Sequence, residues 1–399
     1  MNLKILEIFV ASFEQALDLM HQGRSTEVVE TLAPLEVQMT QEYPMPEVSF
    51  AAMQCLRLYG ISLVQVGEHQ RGRTILQNFV SKHPSDSSSS MHLAFSILAQ
   101  CEYQAGFKQL LMPTFDHPRN TYPYPLWRGK KTPGKRIVLY DGSCNDNVRS
   151  DYGNGYGDSI QFIRYVKRLR HDFNEITLKC DPPLVGLMKT FSEIDRVVTS
   201  WDEVETADVR LPLIHFPHVY STSIESIPYT NGYLEPFGSS DKSDSTRLRV
   251  GICWRGAEHH YASHRRNFDL QTLLQTLSKA GVTIVNLQHL PKPAELRLLS
   301  EFDVEHSAEK LEGFLRTSHL IGTLDLVVSI DTSIAHLTGA MNKPGIVLLP
   351  YACDWRWLPD GPWYDSLKTI RQTSYGDWNE VEKELNRYLT PISRTKIRQ

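Results

Sequence analysis

Residues 324–357 read LDLVVSIDTSIAHLTGAMNKPGIVLLPYACDWRW. Leu326 to Ile330 is a short, β-branched apolar run without helical period, the pattern of a strand buried on both faces. It stops at Asp331-Thr332-Ser333, residue types that cap helices, and Ile334 to Met341 then reads as a short helix. After Asn342-Lys343-Pro344 comes a second buried strand, Gly345 to Leu349. Strand, polar turn, helix and strand make one βαβ unit. The first N–H groups of such a helix have no carbonyl partner within it. They lie beside the carboxyl ends of the strands, where open α/β sheets take anionic ligands. Thr332 and Ser333 add hydroxyl donors, and His336 lies one turn further in. The stretch predicts a seat for a diphosphate.

The same alternation extends outward. Arg247 to Trp254 (RLRVGICW) opens the half that contains this unit, with a helix over 270–280, a strand over 283–287 and a helix over 293–302. An earlier half begins with the strand Arg136 to Tyr140. A glycine- and asparagine-rich turn, 141–157, then leads through Asp158-Ser159 into an amphipathic helix. Strands at 175–179, 196–198 and 211–215 and a helix over 183–191 complete it. Residues 1–118 have helical period throughout: Phe13, Ala16, Leu17 and Met20 share one face. His83-Pro84 and His117-Pro118 stand 34 residues apart, the tetratricopeptide period, although the preceding interval is longer. The expected organisation is a tetratricopeptide-like helical domain at 1–118 and a linker at 119–135. A first Rossmann-like domain at 136–240 and a second at 247–380 follow, then a helix end and basic tail at 381–399. Stacked helix hairpins would offer a concave face to a peptide.

Composition narrows the function. The net charge of −4 over 399 residues argues against a dominant nucleic-acid surface. Six scattered cysteines without a CxxC pair argue against a zinc cage or a disulfide framework. The N-terminus carries Glu7 and Glu14 and lacks signal-peptide features, and no apolar run approaches the ~20 residues that span a bilayer. A cytoplasmic protein without a membrane span is expected. His259, His260 and His264 cluster in EHHYASH, but their spacing fits no common metal template. No metal site and no cofactor are expected.

Three stretches together resemble a known group: GDSIQFIRY (157–165), VGICWRG with HRRNFDL (250–256, 264–270), and DLVVSIDTSIAHLTGAMNKPGIVLLP…DWRW (325–357). GPWYDSLKTIRQ…GDW (361–378) extends the last. They resemble bacterial tetratricopeptide-linked glycosyltransferases of the heptosyltransferase and O-GlcNAc-transferase-like type. The resemblance covers 136 to about 380. It implies the α/β GT-B fold, two Rossmann-like domains facing a cleft, with the nucleotide sugar mainly on the second and the acceptor on the first. It also implies a final helix that packs back on the first domain.

On that resemblance Asp158 would be the catalytic base of an inverting transfer; on the residues alone it is a helix cap. Gly155 and Gly157 would let backbone approach a ligand, and Gln161 would reach a sugar or sit on the helix surface. Arg255, at a strand end, and Arg266 would pair with phosphate, with Asn267 standing where relatives carry a small hydroxyl residue. Gln288 would touch the nucleotide base. Asp331, as an anion, suits capping or ribose binding better than phosphate contact, which falls to Thr332, Ser333 and His336. Asp354 to Trp357 would border the cleft or pack inside. The chain holds no Asp-x-Asp pair, which favours leaving-group stabilisation by helix N-termini and cationic side chains. The expected partners are a nucleotide sugar and a macromolecular acceptor, with protein favoured and homo-oligomerisation left open. Alternatives are a lipopolysaccharide or hydroxymethylated DNA-base acceptor, or a non-catalytic repeat scaffold.

Overall fold

The computed structural model describes residues 2–111, 123–141, 155–235, 247–257 and 263–396. The chain forms two compact units, Met1–Arg119 with Tyr351–Pro359, and Asn120–Pro350 with Asp360–Gln399.

In the first unit the helices Asn2–His21, Ser25–Leu32, Pro46–Gln65, His69–Lys82, Ser87–Ala99 and Tyr103–Leu111 pack on their neighbours in the chain. One turn geometry recurs. Gly23, Gly67 and Cys101 each adopt positive φ after a helix. The next N–H then bonds back across the turn: Arg24 to the Leu19 carbonyl (2.9 Å), Glu68 to Leu63 (2.8 Å) and Glu102 to Ile97 (3.3 Å). Gly67 and Cys101 are 34 residues apart. The earlier interval is longer because a 3₁₀ turn, Ala33–Leu35, and a short helix, Glu36–Met39, are inserted there. The returning segment Tyr351–Pro359 buries Trp355 and Trp357. The Trp355 ring stands edge-on to Tyr103 (6.0 Å) and Phe107 (5.4 Å), so this pair is packing.

The second unit is mixed α/β and holds two parallel sheets. Strands β1 (Arg136–Tyr140), β2 (Glu175–Lys179), β3 (Arg196–Val198) and β4 (Val209–Pro212) lie in the order β3-β2-β1-β4, with Val138 opposite Thr177 and Arg210. Strands β5 (Arg249–Cys253), β6 (Thr283–Asn286), β7 (Leu326–Ile330), β8 (Gly345–Leu349) and β9 (Leu367–Arg371) lie in the order β6-β5-β7-β8-β9. In both sheets the chain leaves the first strand to one side and later returns on the other. The strand order therefore reverses between β1 and β4, and again between β5 and β7. Ligands of open α/β sheets bind in the crevice at the carboxyl end of such a reversal.

The structure corrects several expectations. The strand expected at 211–215 ends at Pro212, which has no N–H to continue the ladder, and Leu213–His215 coils into a 3₁₀ turn. β9 was not foreseen: it is an edge strand whose exposed Lys368 and Arg371 hide the alternation. Residues 123–135 are no loose linker. The Trp127 N–H donates to the Arg210 carbonyl and the Arg210 N–H to the Pro125 carbonyl, both at 2.9 Å, which adds this segment beside β4. The last helix, Asn379–Lys396, runs into the segment expected to be a basic tail. Its Val381, Leu385 and Leu389 form an i, i+4, i+8 stripe buried in the core of the second half with Leu273 and Leu277, and not against the first half. No helix among the described residues is long and apolar enough to cross a membrane.

Candidate functional site

β5 and β7 run in parallel register, Ile252 beside Val328 and Cys253 beside Ser329, so their carboxyl ends come off one edge. From that edge the chain enters the helix Ser333–Ala340, with Thr332 extended at its N-cap (φ −147°, ψ 172°). The Thr332 Oγ1 accepts the Ile334 N–H at 3.3 Å and shares a hydrogen bond with Ser329 Oγ at 3.1 Å. The Thr332 carbonyl takes the N–H groups of Ala335 (3.0 Å) and His336 (3.4 Å). The amides of Thr332 and Ser333 lie before the first helical carbonyl that could receive them, so they are the natural donors to an anion.

Arg266 stands over this helix start. Its Nη1 donates to the Asp331 carbonyl at 3.0 Å and lies 4.0 Å from the Asp331 carboxylate. Its Nε is buried and has no hydrogen-bond partner among the described residues. The guanidinium rests on Gly256: a Cβ there would come 2.4 Å from Nη2 and 2.7 Å from Cζ. Any larger residue would displace the cation. Asn267 holds the turn in place by accepting the Gly256 N–H at 3.1 Å. Gly256 was missed in the sequence, although a glycine directly after a basic residue at a strand end is a readable signal. The cap of this helix is Thr332 and not Asp331, whose carboxylate instead lies 4.0 Å from Arg266 Nη1. Cys253 lies beneath, Sγ 3.7 Å from Thr332 Oγ1, and burial pushes its thiol pKa up, so it stays protonated.

The first half approaches through the helix Tyr156–Phe162. Asp158 sits in its first turn, where the carboxylate accepts the Gly155 N–H at 3.2 Å and the Asp158 N–H returns to the Gly155 carbonyl at 2.9 Å. Next to it, a Cβ on Gly157 would lie 2.6 Å from His336 Cδ2 and 3.3 Å from Nε2. The two helices thus approach closely at Gly157, with Asp158 the next residue in the chain, while a Cβ on Gly155 would meet nothing within 4 Å. That histidine is 4 % exposed, with Nδ1 2.9 Å from the Tyr364 hydroxyl. Burial holds the Tyr364 pKa well above its usual value, so the phenol keeps its proton and fixes the imidazole orientation.

Other expected site residues are engaged elsewhere. Arg255 is a correction: its Nε and Nη2 bind the two oxygens of Glu295 at 3.1 and 3.2 Å, and Nη2 also reaches the Leu290 carbonyl at 3.2 Å. Burial pushes the Glu295 pKa up. Hydrogen bonds from Arg255, the Lys292 amide and the Trp254 indole outweigh that and hold it below the usual range. Arg255 therefore closes a half-buried ion pair and is not offered to a phosphate. Gln288 accepts the Arg255 N–H at 3.0 Å and donates to the His289 carbonyl at 3.4 Å, so its amide shapes this loop. Gln161 is fully buried, which excludes the helix-surface alternative. His259 and His260 lie outside the described residues, as does the side chain of His264. Among the described residues no group of three or more His, Cys, Asp or Glu could hold a metal ion.

The chain matches no protein-family model and no curated protein. Solved structures do resemble it. A glycosyl transferase family 9 protein of Veillonella parvula aligns with 13 % identity over 66 % of this chain and 97 % of its own, at a TM-score of 0.43. The ADP-heptose lipopolysaccharide heptosyltransferase II of E. coli aligns with 13 % identity over 64 % of this chain and 99 % of its own, also at 0.43. A mutant O-GlcNAc transferase of Thermobaculum terrenum covers 98 % of this chain and 94 % of its own, with 12 % identity and a TM-score of 0.28.

Proposed function

We propose that the protein is a glycosyltransferase that moves a sugar from a nucleoside-diphosphate donor to a macromolecular acceptor, with inversion and without a metal ion. One observation carries the reading. At the strand-order reversal between β5 and β7, the start of the Ser333–Ala340 helix and the Arg266 guanidinium, whose Nε has no partner among the described residues, converge on one spot. Two phosphates match that donor set. In the proposed reaction the acceptor hydroxyl gives its proton to the Asp158 carboxylate as its oxygen attacks the anomeric carbon. The bond from that carbon to the phosphate oxygen breaks. The diphosphate leaves with its added charge stabilised by the Thr332 and Ser333 amides and by Arg266. Asp158 is given this role because it directly follows Gly157, the residue that meets His336 of the second half.

A protein acceptor is favoured. The turn repeated at Gly67 and Cys101 supports reading the helical unit as tetratricopeptide-like, a scaffold that suits extended polypeptides. A cytoplasmic site of action, where nucleotide sugars are made, completes the proposal.

The experiment is incubation with UDP-, GDP- and ADP-sugars in chelator, following nucleoside diphosphate release. One donor should be consumed, and Asp158→Asn should cut its turnover by roughly 10²–10⁴-fold, the usual span for a general base. Turnover that survives in Asp158→Asn would remove that residue from the base role.

A further inference from the structure

The seam between the two α/β halves contains a buried cation. Arg164 follows the helix Tyr156–Phe162 and is 0 % exposed. No carboxylate among the described residues pairs with it. Its donors go to backbone carbonyls of three separate segments: Nε to Gln161 at 2.8 Å, Nη1 to Trp363 at 2.9 Å and to Pro228 at 3.3 Å. Nη2 reaches the Tyr233 hydroxyl at 3.5 Å. Three rings enclose the guanidinium, with centroids at 4.7 Å (Tyr233), 4.8 Å (Tyr364) and 5.2 Å (Trp363).

Only arginine meets these demands. It stays charged when buried, its planar fork serves several carbonyls, and its faces stack on aromatic rings. The carbonyl of Gln161 lies at the end of the Asp158 helix, where a positive charge is favourable. Tyr233 donates its hydroxyl to the Ile160 carbonyl of that same helix at 2.6 Å, while the Tyr233 N–H donates to the Ala340 carbonyl of the His336 helix at 2.8 Å. Tyr364, stacked on the guanidinium, is the partner of His336. Arg164 is thus in contact with Gln161 of the Asp158 helix, with Tyr233, which bonds both helices, and with Tyr364, the partner of His336.

We propose that Arg164 is a positioning residue that pins the Asp158 helix to the second half and so fixes the carboxylate relative to the diphosphate seat. The functional part rests on the reading of the site given above. The seam itself does not, so the two fail separately.

The test compares the full chain with Arg164→Met, of similar reach, and Arg164→Lys, which keeps a charge. Hydrogen exchange is read by peptide, alongside transfer kinetics. In Arg164→Met, protection over 156–162 and 333–340 should fall at least tenfold while β1, β2, β7 and β8 keep theirs. Donor affinity should change less than threefold and kcat should fall at least tenfold, with Arg164→Lys recovering part of both losses. Should Arg164→Met not fold, Arg164→Lys carries the same comparison with smaller losses. Unchanged exchange at the seam, or equal loss in the strands, overturns the pin. A loosened seam with unchanged kcat overturns the positioning role. A parent protein that consumes no nucleotide sugar overturns the reading of the site, and the exchange result still decides the pin.

Discussion

Gly155 and Gly157 are two residues apart, and the structure assigns them opposite tolerances. A Cβ on Gly157 would stand 2.6 Å from the His336 ring, whereas one on Gly155 would meet nothing within 4 Å. Ordinary carbon contact begins near ~3.5 Å, so in Gly157→Ala the ring or the helix must retreat by about 1 Å. The ring is 4 % exposed and tied through Nδ1 to the buried Tyr364, so it has little room. Overpacking of this kind costs about 1–3 kcal/mol, against a helix-propensity gain of about 1 kcal/mol, which leaves a net loss of up to roughly 2 kcal/mol. For a unit of this size that is a fall in Tm of up to about 8 °C. Gly155→Ser places a favourable N-cap residue in open space and should stay within about 0.5 kcal/mol of the parent. The measurement is urea and thermal unfolding of both variants, with His336→Ala completing a double-mutant cycle. Removing the ring should relieve most of the Gly157→Ala penalty, a coupling above about 0.5 kcal/mol. Equal costs at the two glycines, or a penalty that persists in His336→Ala, would refute the close approach of the two helices.

Further expectations concern the seat, the ion pair and the helical unit. Arg266→Ala should raise the donor Kd by roughly 10–150-fold, the value of one or two charge-assisted hydrogen bonds, as read by calorimetry. Gly256→Ala should weaken donor binding in the same direction, because its Cβ would displace the guanidinium that lies 2.4 Å away. Arg255→Ala should lower stability by about 1–3 kcal/mol, since it strands the half-buried Glu295, yet leave donor affinity unchanged. His92 is buried and its pKa is pushed down to about 4, chiefly by loss of hydration. As pH falls the unfolded chain takes up the proton first. The stability it contributes is therefore full above about pH 6.5 and is lost between there and pH 4, by roughly 3 kcal/mol. Urea melts at pH 7.5 and 4.5 should show that loss, and His92→Gln should shrink it.

Much of the architecture could be read from residue patterns because buried parallel strands announce themselves. Arg136–Tyr140, Glu175–Lys179, Leu326–Ile330 and Gly345–Leu349 are short apolar or β-branched runs, and each is a strand with those bounds. β9 escaped because an exposed edge alternates Lys368 and Arg371 with apolar residues, and that period resembles a loop. The helix start at Thr332 was readable for the same local reason as its strand: cap residues follow an apolar run. What decided between Arg255 and Arg266 was not local. Both are arginines near a strand end or a helix start, but one meets Glu295, 40 residues away in the chain, and the other a glycine. Gln161 and Arg164 lie within a helix-like stretch and pass for surface positions until a second half of the molecule covers them.

The central claim is that amides at Thr332 and Ser333, with Arg266, hold a diphosphate without a divalent ion. It is tested most directly by calorimetric titration of UDP, GDP and ADP and their sugars into the full chain in chelator, with Arg266→Ala as the comparison. One nucleotide series should bind in chelator, with magnesium changing its Kd by less than threefold and Arg266→Ala weakening it at least tenfold. Failure of every series, or binding that appears only with magnesium or manganese, would contradict the account.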